Sequence, residues 1–72
     1  MHLTSVRRIF SRNLKRLRTR KGLTQEELAE KLDISVRYIQ QLEGIRCPNV
    51  KIDTIAVLAK VVGAKPTDFF EA

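Results

Sequence analysis

The stretch TQEELAEKLDISVRYIQQLE, residues 24 to 43, constrains the fold more than any other part of the chain. It contains two short amphipathic segments separated only by residues 32 to 34. Thr24, with Glu27 three positions later, matches a capping box and predicts the start of one helix. Ser35 is a favourable cap for the next helix. A connection this short excludes independent cores, so the two helices must cross steeply, at about 90 to 120°.

Three further helical segments flank this pair. Apolar residues recur at steps of three and four in an N-terminal segment that ends at Lys21-Gly22. A later segment has the inward face Ile52, Ile55, Leu58, Ala59 and Val62. The short stretch KPTDFF has its proline where a helix commonly begins. We therefore predict an all-α fold of five helices, with the 72 residues forming a single domain.

The third helix has a distinctive outward face. Its expected buried positions are Ile39 and Leu42, three residues apart. The other side then carries no acidic residue and consists of Ser35, Val36, Arg37, Tyr38, Gln40 and Gln41. Such side chains can contact base edges and thymine methyl groups in the major groove of DNA.

The charge distribution favours an anionic partner. The formal net charge is +6, eight of the 14 basic residues lie in the first 21 positions, and the first acid is Glu26. Nucleic acid is therefore the expected partner, ahead of a membrane surface. No apolar run approaches the roughly 20 residues that span a bilayer, and no signal peptide is apparent. Cys47 is the single cysteine, so we expect a soluble protein of a reducing cytoplasm.

The sequence contains no constellation typical of catalysis. One histidine and one cysteine, His2 and Cys47, do not make a metal site. The adjacent acids Glu26 and Glu27 have no accompanying nucleophile, pocket or phosphate-binding loop. We expect no enzyme activity, no cofactor and no bound metal.

From about Asn13 to Phe70, the chain resembles the Cro and phage-repressor type of helix-turn-helix DNA-binding family. NLKRLRTRKGLTQEELAEKLDIS resembles the first two helices and the turn, YIQQLEGIRCPN the end of the recognition helix and the next loop, and LAKVVGAKPTDFF the last two helices. The resemblance implies a compact, five-helix, lambda-repressor-like domain whose central motif is residues 24 to 43. Asp33 stands where the family often has glycine, at a position that commonly needs a positive φ.

The resemblance also implies a sequence-specific transcriptional regulator, with residues 35 to 43 as the recognition helix in the major groove. The implied base contacts are Ser35, Val36, Arg37, Gln40 and Gln41. The implied phosphate contacts are Thr24, Gln25, Tyr38, Arg46, Asn49 and Lys51. Arg18 is expected to pair with Glu43 and to give that carboxylate a structural role. Contact between DNA and Arg7, Arg8 and Arg12, which precede the matched region, is left open.

Members of the family commonly pair through their last helices, which implies a homodimer on a palindromic operator. The expected interface residues are Val61, Ala64, Phe69 and Phe70, with one phenylalanine folded onto the core and the other exposed. The transcription machinery is a further expected partner. A phage-type repressor, an antitoxin-like autoregulator and a restriction-modification controller all fit, and the operator and the sign of regulation are left open.

Two other classes of function are open to a chain of this kind. One is a protein-interaction adaptor or antitoxin-like protein that has kept the fold while DNA binding is secondary or lost. The other is an RNA binder. The outward Arg37, Gln40 and Gln41 argue against the adaptor. The lack of an exposed aromatic platform argues against single-stranded RNA.

Overall fold

A computed structural model describes the backbone of residues 3 to 71 and the side chains of residues 6 to 71, so His2 lies outside the described residues. This part of the chain contains four α-helices: α1 (Leu3–Lys21), α2 (Gln25–Leu32), α3 (Val36–Leu42) and α4 (Ile52–Val62). The all-α prediction is confirmed. No helix among the described residues has the length and apolar character needed to cross a membrane.

The predicted fifth helix is not an α-helix. Residues Pro66–Phe70 form a short 3-10 helix, the 3-10 segment, in which Asp68 N–H donates to the Lys65 carbonyl at 2.9 Å. A five-residue segment that opens with proline is too short to build a ladder of bonds to the fourth preceding residue, so it takes the tighter turn. The predicted five α-helices are therefore corrected to four.

All four helices and the 3-10 segment contribute to one core. Its largest fully buried side chains are Phe69, Leu14, Leu17, Leu28, Ile39, Leu42, Leu58 and Val62. Ala29 of α2 is also buried, and α2 packs on α3 and α4. The predicted inner face of α3 is confirmed, because Ile39 and Leu42 are both inaccessible to solvent.

The turn between α2 and α3 depends on a left-handed residue. Asp33 has φ 55° and ψ 45°, and it is the one non-glycine with positive φ in the described part of the chain. Asp33 N–H donates to the Glu30 carbonyl at 3.2 Å, and Ile34 N–H donates to the Ala29 carbonyl at 3.0 Å. This pair of bonds satisfies the last carbonyls of α2 and reverses the chain sharply.

The 3-10 segment is fastened to α1. Asn13 is buried, and its Nδ2 donates to the carbonyls of Phe69 at 2.9 Å and Glu71 at 2.7 Å. The Phe69 ring packs on Phe10, with ring centroids 5.3 Å apart. The end of the described chain therefore covers the N-terminal helix.

One expected core position is wrong. Ile52 was assigned to the inner face of α4, but 82% of its surface is exposed. It is the first residue of the helix, where its side chain is not covered by another element. Further along α4, Leu58, Ala59 and Val62 are buried as expected.

Candidate nucleic-acid interface

The start of α2 is fixed by a reciprocal capping arrangement. Glu27 N–H donates to the Thr24 hydroxyl at 3.0 Å, and Thr24 N–H donates to the Glu27 carboxylate at 2.9 Å. The bond from the Thr24 backbone, followed by the bond with its side chain, lowers the pKa of Glu27 from its ordinary value. Both favour the ionised carboxylate. Because Thr24 and Glu27 are exposed, this positive helix end is accessible to an anion.

Helix α3 presents a polar outer face. The Ser35 hydroxyl caps it by accepting from Tyr38 N–H at 3.1 Å. The exposed side chains of this face are Ser35, Arg37, Gln40 and Gln41. Val36 and Tyr38 are half-buried and pack against the core. Four of the six expected outward residues thus lie in solvent, and the other two lie at the edge of the core.

A buried network joins α3 to the helices on which it packs. Arg18 Nε donates to Glu43 Oε2 at 2.6 Å, and its Nη2 donates to Glu43 Oε1 at 3.0 Å. Arg18 Nη1 donates to the Leu23 carbonyl at 2.7 Å. The side chains of Arg18 and Glu43 are only 11% and 3% exposed. The pair therefore ties the end of α1 to the end of α3.

Gln25 is part of the same network. Its Nε2 donates to Glu43 Oε1 at 3.0 Å. The network thus links the start of α2 with the end of α3 and fixes the orientation between them. It also directs one N–H of the Gln25 amide toward Glu43, so the second N–H of that amide and its carbonyl oxygen remain for other partners.

The loop after α3 carries further cations. Arg46, Asn49 and Lys51 are all exposed, and Lys51 immediately precedes α4. Cys47 is buried between them, and its thiol donates to the Pro48 carbonyl at 3.3 Å. Within residues 3 to 71, no group of three or more His, Cys, Asp or Glu side chains could hold a metal ion.

These elements together define the recognition surface: Thr24, Gln25, Ser35, Arg37, Gln40, Gln41, Arg46, Asn49 and Lys51. Its three cations are accompanied by amides and hydroxyls, and the two acids that contact it, Glu27 and Glu43, accept hydrogen bonds from Thr24 and Gln25. A short helix with this chemistry can address base edges, while the neighbouring helix end and cationic loop can contact backbone phosphates.

The residues expected at a dimer interface are not all at the surface. Phe69 lies in the core with no exposed surface, which corrects its assignment to the interface. Phe70 is 46% exposed. Val61 and Ala64 are half-buried and pack partly against the core. Val57, which precedes Val61 by one helical turn, is 49% exposed and was not anticipated.

Two buried polar residues of α1 were also missed. Asn13 lies three residues after Phe10 and four before Leu17, so it falls on the apolar stripe, and a polar residue in that register signals a buried hydrogen bond. Ser11 is buried, and its hydroxyl has no hydrogen-bond partner among the described residues. No spacing in the sequence distinguishes Ser11 from the exposed residues around it.

Comparison with known proteins found a matching family and two similar proteins. Residues 9–70 match a family described as a helix-turn-helix domain. The chain is 32% identical to Control protein C.BamHI of Bacillus amyloliquefaciens over 69 residues, covering 93% of this chain and 83% of that protein. It also resembles the crystal structure of the hypothetical transcription factor NHTF from Neisseria, with a TM-score of 0.83 and 26% identity, over 92% of this chain and 75% of that one.

Proposed function

The chain belongs to the helix-turn-helix domain family, and we propose that this DNA-binding transcriptional regulator reads a palindromic operator as a homodimer. The supporting observation is the division of α3 into two faces. Ile39 and Leu42 are completely buried, whereas Arg37, Gln40 and Gln41 are exposed with no acid beside them on the helix. A seven-residue helix whose inner face is packed on the core can enter a major groove without rearranging.

Arg37 and Gln41 are the principal proposed base readers. Arginine can donate two hydrogen bonds to a guanine, and glutamine can form a paired contact with an adenine. Ser35 and Gln40 are proposed to contact neighbouring bases. Val36 is proposed to contact a thymine methyl from the edge of the core, and its half-burial limits it to that apolar contact.

Phosphate contacts are proposed for the residues that surround the base readers. Thr24 and Gln25 lie at the positive end of α2. Tyr38 lies at the edge of α3, and its hydroxyl can donate to a phosphate oxygen. Arg46, Asn49 and Lys51 extend from the following loop. These contacts would set the position of α3 on the duplex and make binding strongly dependent on salt.

Site selection from a pool of random duplexes, repeated with Arg37→Ala, tests the proposal. The substitution is expected to cost on the order of 1 to 3 kcal/mol and to relax the preference at one position of each half-site. Arg20→Ala is the matched control. Arg20 is an exposed arginine of α1 that lies outside the recognition surface, and its charge acts on Asp68. Equal weakening on every sequence would contradict base reading by Arg37.

The proposed dimer uses the outer side of α4. Val57 and Val61 are one turn apart on the same face, and Ala64 follows one turn later. Two linked domains bind much more tightly than one, and their recognition helices would be roughly 34 Å apart on the duplex. Val57→Glu and Phe70→Ser can be compared by sedimentation equilibrium. The dimer fraction is expected to fall with at least one of them, and an unchanged mass for both would refute this interface.

A control-protein role is the most specific class that we propose. It is supported by the similarity to Control protein C.BamHI, which covers 83% of that protein. The level of transcription controlled by such a protein would depend on the concentration of the protein itself. A reporter placed behind the selected operator should change in expression as the protein is titrated, and a reporter that does not respond would refute the role.

A further inference from the structure

A basic groove lies between α1 and the turn that follows α3, outside the recognition surface. It has a volume of about 260 Å³. Its walls include Arg8, Ser11, Arg12 and Lys15 from α1, and Gly44 and Ile45 from the turn. Positions 8, 12 and 15 are separated by four and three residues, so the three cations project from one side of the helix.

The cations of this groove have no internal counterion. All three are exposed, and in the described part of the chain none pairs with an acidic side chain. Arg8 and Arg12 are four residues apart, a spacing at which like charges repel and weaken a helix. Nothing in the packing of α1 requires these charges, because the core contacts of the helix are made by its apolar stripe.

Ser11, a wall residue of the groove, carries a buried hydroxyl. Ser11 Oγ is the one buried side-chain oxygen or nitrogen among the described residues without a hydrogen-bond partner. Buried polar groups of proteins nearly always have a partner. A ligand that accepts hydrogen bonds would therefore satisfy Ser11 and neutralise the cations together.

The only acid of the groove does not compete with such a ligand. Glu43 lines the groove as well, but its carboxylate accepts hydrogen bonds from Arg18 and Gln25. Its side chain is almost completely buried. The electrostatic field at the groove is therefore set by Arg8, Arg12 and Lys15.

We propose that this groove binds a backbone phosphate of the DNA that flanks each half-site, an inference that rests on the proposed function. The groove includes Gly44 and Ile45, which lie between the end of α3 at Leu42 and Arg46 of the recognition surface, so it adjoins that surface along α1. A guanidinium fork matches the geometry of phosphate oxygens. Arg8 and Arg12 then bind the DNA backbone independently of its sequence. Their contacts increase the length of duplex that each domain covers.

The test measures the affinity of the full chain for a selected operator duplex as a function of salt. Arg8→Gln/Arg12→Gln should reduce the magnitude of the slope of log affinity against log salt by about 1 to 2 units, since each phosphate neutralised contributes about 0.9. The control, Arg20→Gln/Lys60→Gln, removes the same charge from exposed positions outside the groove and outside the recognition surface and should leave the slope unchanged. Circular dichroism verifies that both variants are folded.

A second arm shortens the duplex outside the operator, one base pair at a time. The wild-type slope should fall to that of the Arg8→Gln/Arg12→Gln variant at one defined length, and the variant should not respond to that trimming. A wild-type slope equal to the variant slope at every length would overturn the groove assignment while leaving operator binding intact. Failure of the wild-type chain to bind any duplex would overturn the proposed function itself.

Discussion

Removal of the guanidinium from the Arg18–Glu43 pair should cost a large part of the stability of the domain. Arg18→Met keeps most of the aliphatic stem but removes three hydrogen bonds, of 2.6, 3.0 and 2.7 Å. Glu43, only 3% exposed, is then left with Gln25 as its remaining side-chain donor. Breaking a buried pair in this way costs about 3 to 5 kcal/mol.

The lower end of that range applies, because Arg18 is 11% exposed and Gln25 still donates to the carboxylate. We therefore expect a loss of about 3 kcal/mol. Domains of this length are stable by about 4 to 11 kcal/mol in total. The melting temperature should accordingly fall by about 12 to 24 °C.

Urea unfolding followed by circular dichroism measures the change, and a double-substitution cycle isolates its cause. Arg18→Met/Glu43→Met removes both charges and should recover most of the lost stability. Arg18→Lys keeps the positive charge without the planar fork and should lie between wild type and Arg18→Met. If the double variant is as unstable as Arg18→Met, or if Arg18→Met costs under about 1 kcal/mol, the buried-charge explanation is wrong.

Three smaller effects can be measured in the same way. Asp33→Gly should raise the free energy of unfolding by up to about 1 kcal/mol, because glycine adopts the left-handed conformation without the Cβ penalty. A lower free energy of unfolding than that of the wild type would contradict backbone strain at Asp33. Glu27 has a lowered pKa, so its contribution to stability is present above its ordinary pKa and is lost as the pH falls through its folded value. Glu27→Gln should therefore flatten the acid limb of a plot of melting temperature against pH, and an unchanged limb would refute the linkage. Phe69→Ala should cost about 3 to 5 kcal/mol, whereas the half-exposed Phe70→Ala should cost far less; equal losses would contradict the core assignment.

The local signals in the sequence predicted the centre of the fold well. The capping box at Thr24 and Glu27 is formed by both of its hydrogen bonds. Asp33 has the positive φ that its position in the turn suggested. Such features depend on a few neighbouring residues, and for this reason short patterns are sufficient to identify them.

The sequence was less informative where distant elements meet. The spacing of apolar residues gives the direction of a side chain, but not whether another element covers it, so Ile52 was wrongly assigned to the core. It also could not separate Phe69 from Phe70, because the distinction depends on where the chain returns to Phe10. The role of Asn13 depends on carbonyls 56 and 58 positions away.

Those hydrogen bonds between distant residues affect when the protein can fold during translation. The core lacks its largest buried side chain until Phe69 has been made and has emerged from the ribosome. The 26 residues from the end of the helix-turn-helix sequence at Glu43 to Phe69 take about 1 to 5 s to synthesise at roughly 5 to 20 residues per second. Through that interval Asn13 and Phe10 have no native partner in the 3-10 segment, so a nascent chain holds the whole helix-turn-helix sequence before it has the support to keep it rigid. Messages cut short before codon 69 should yield chains that are degraded rather than partially working regulators.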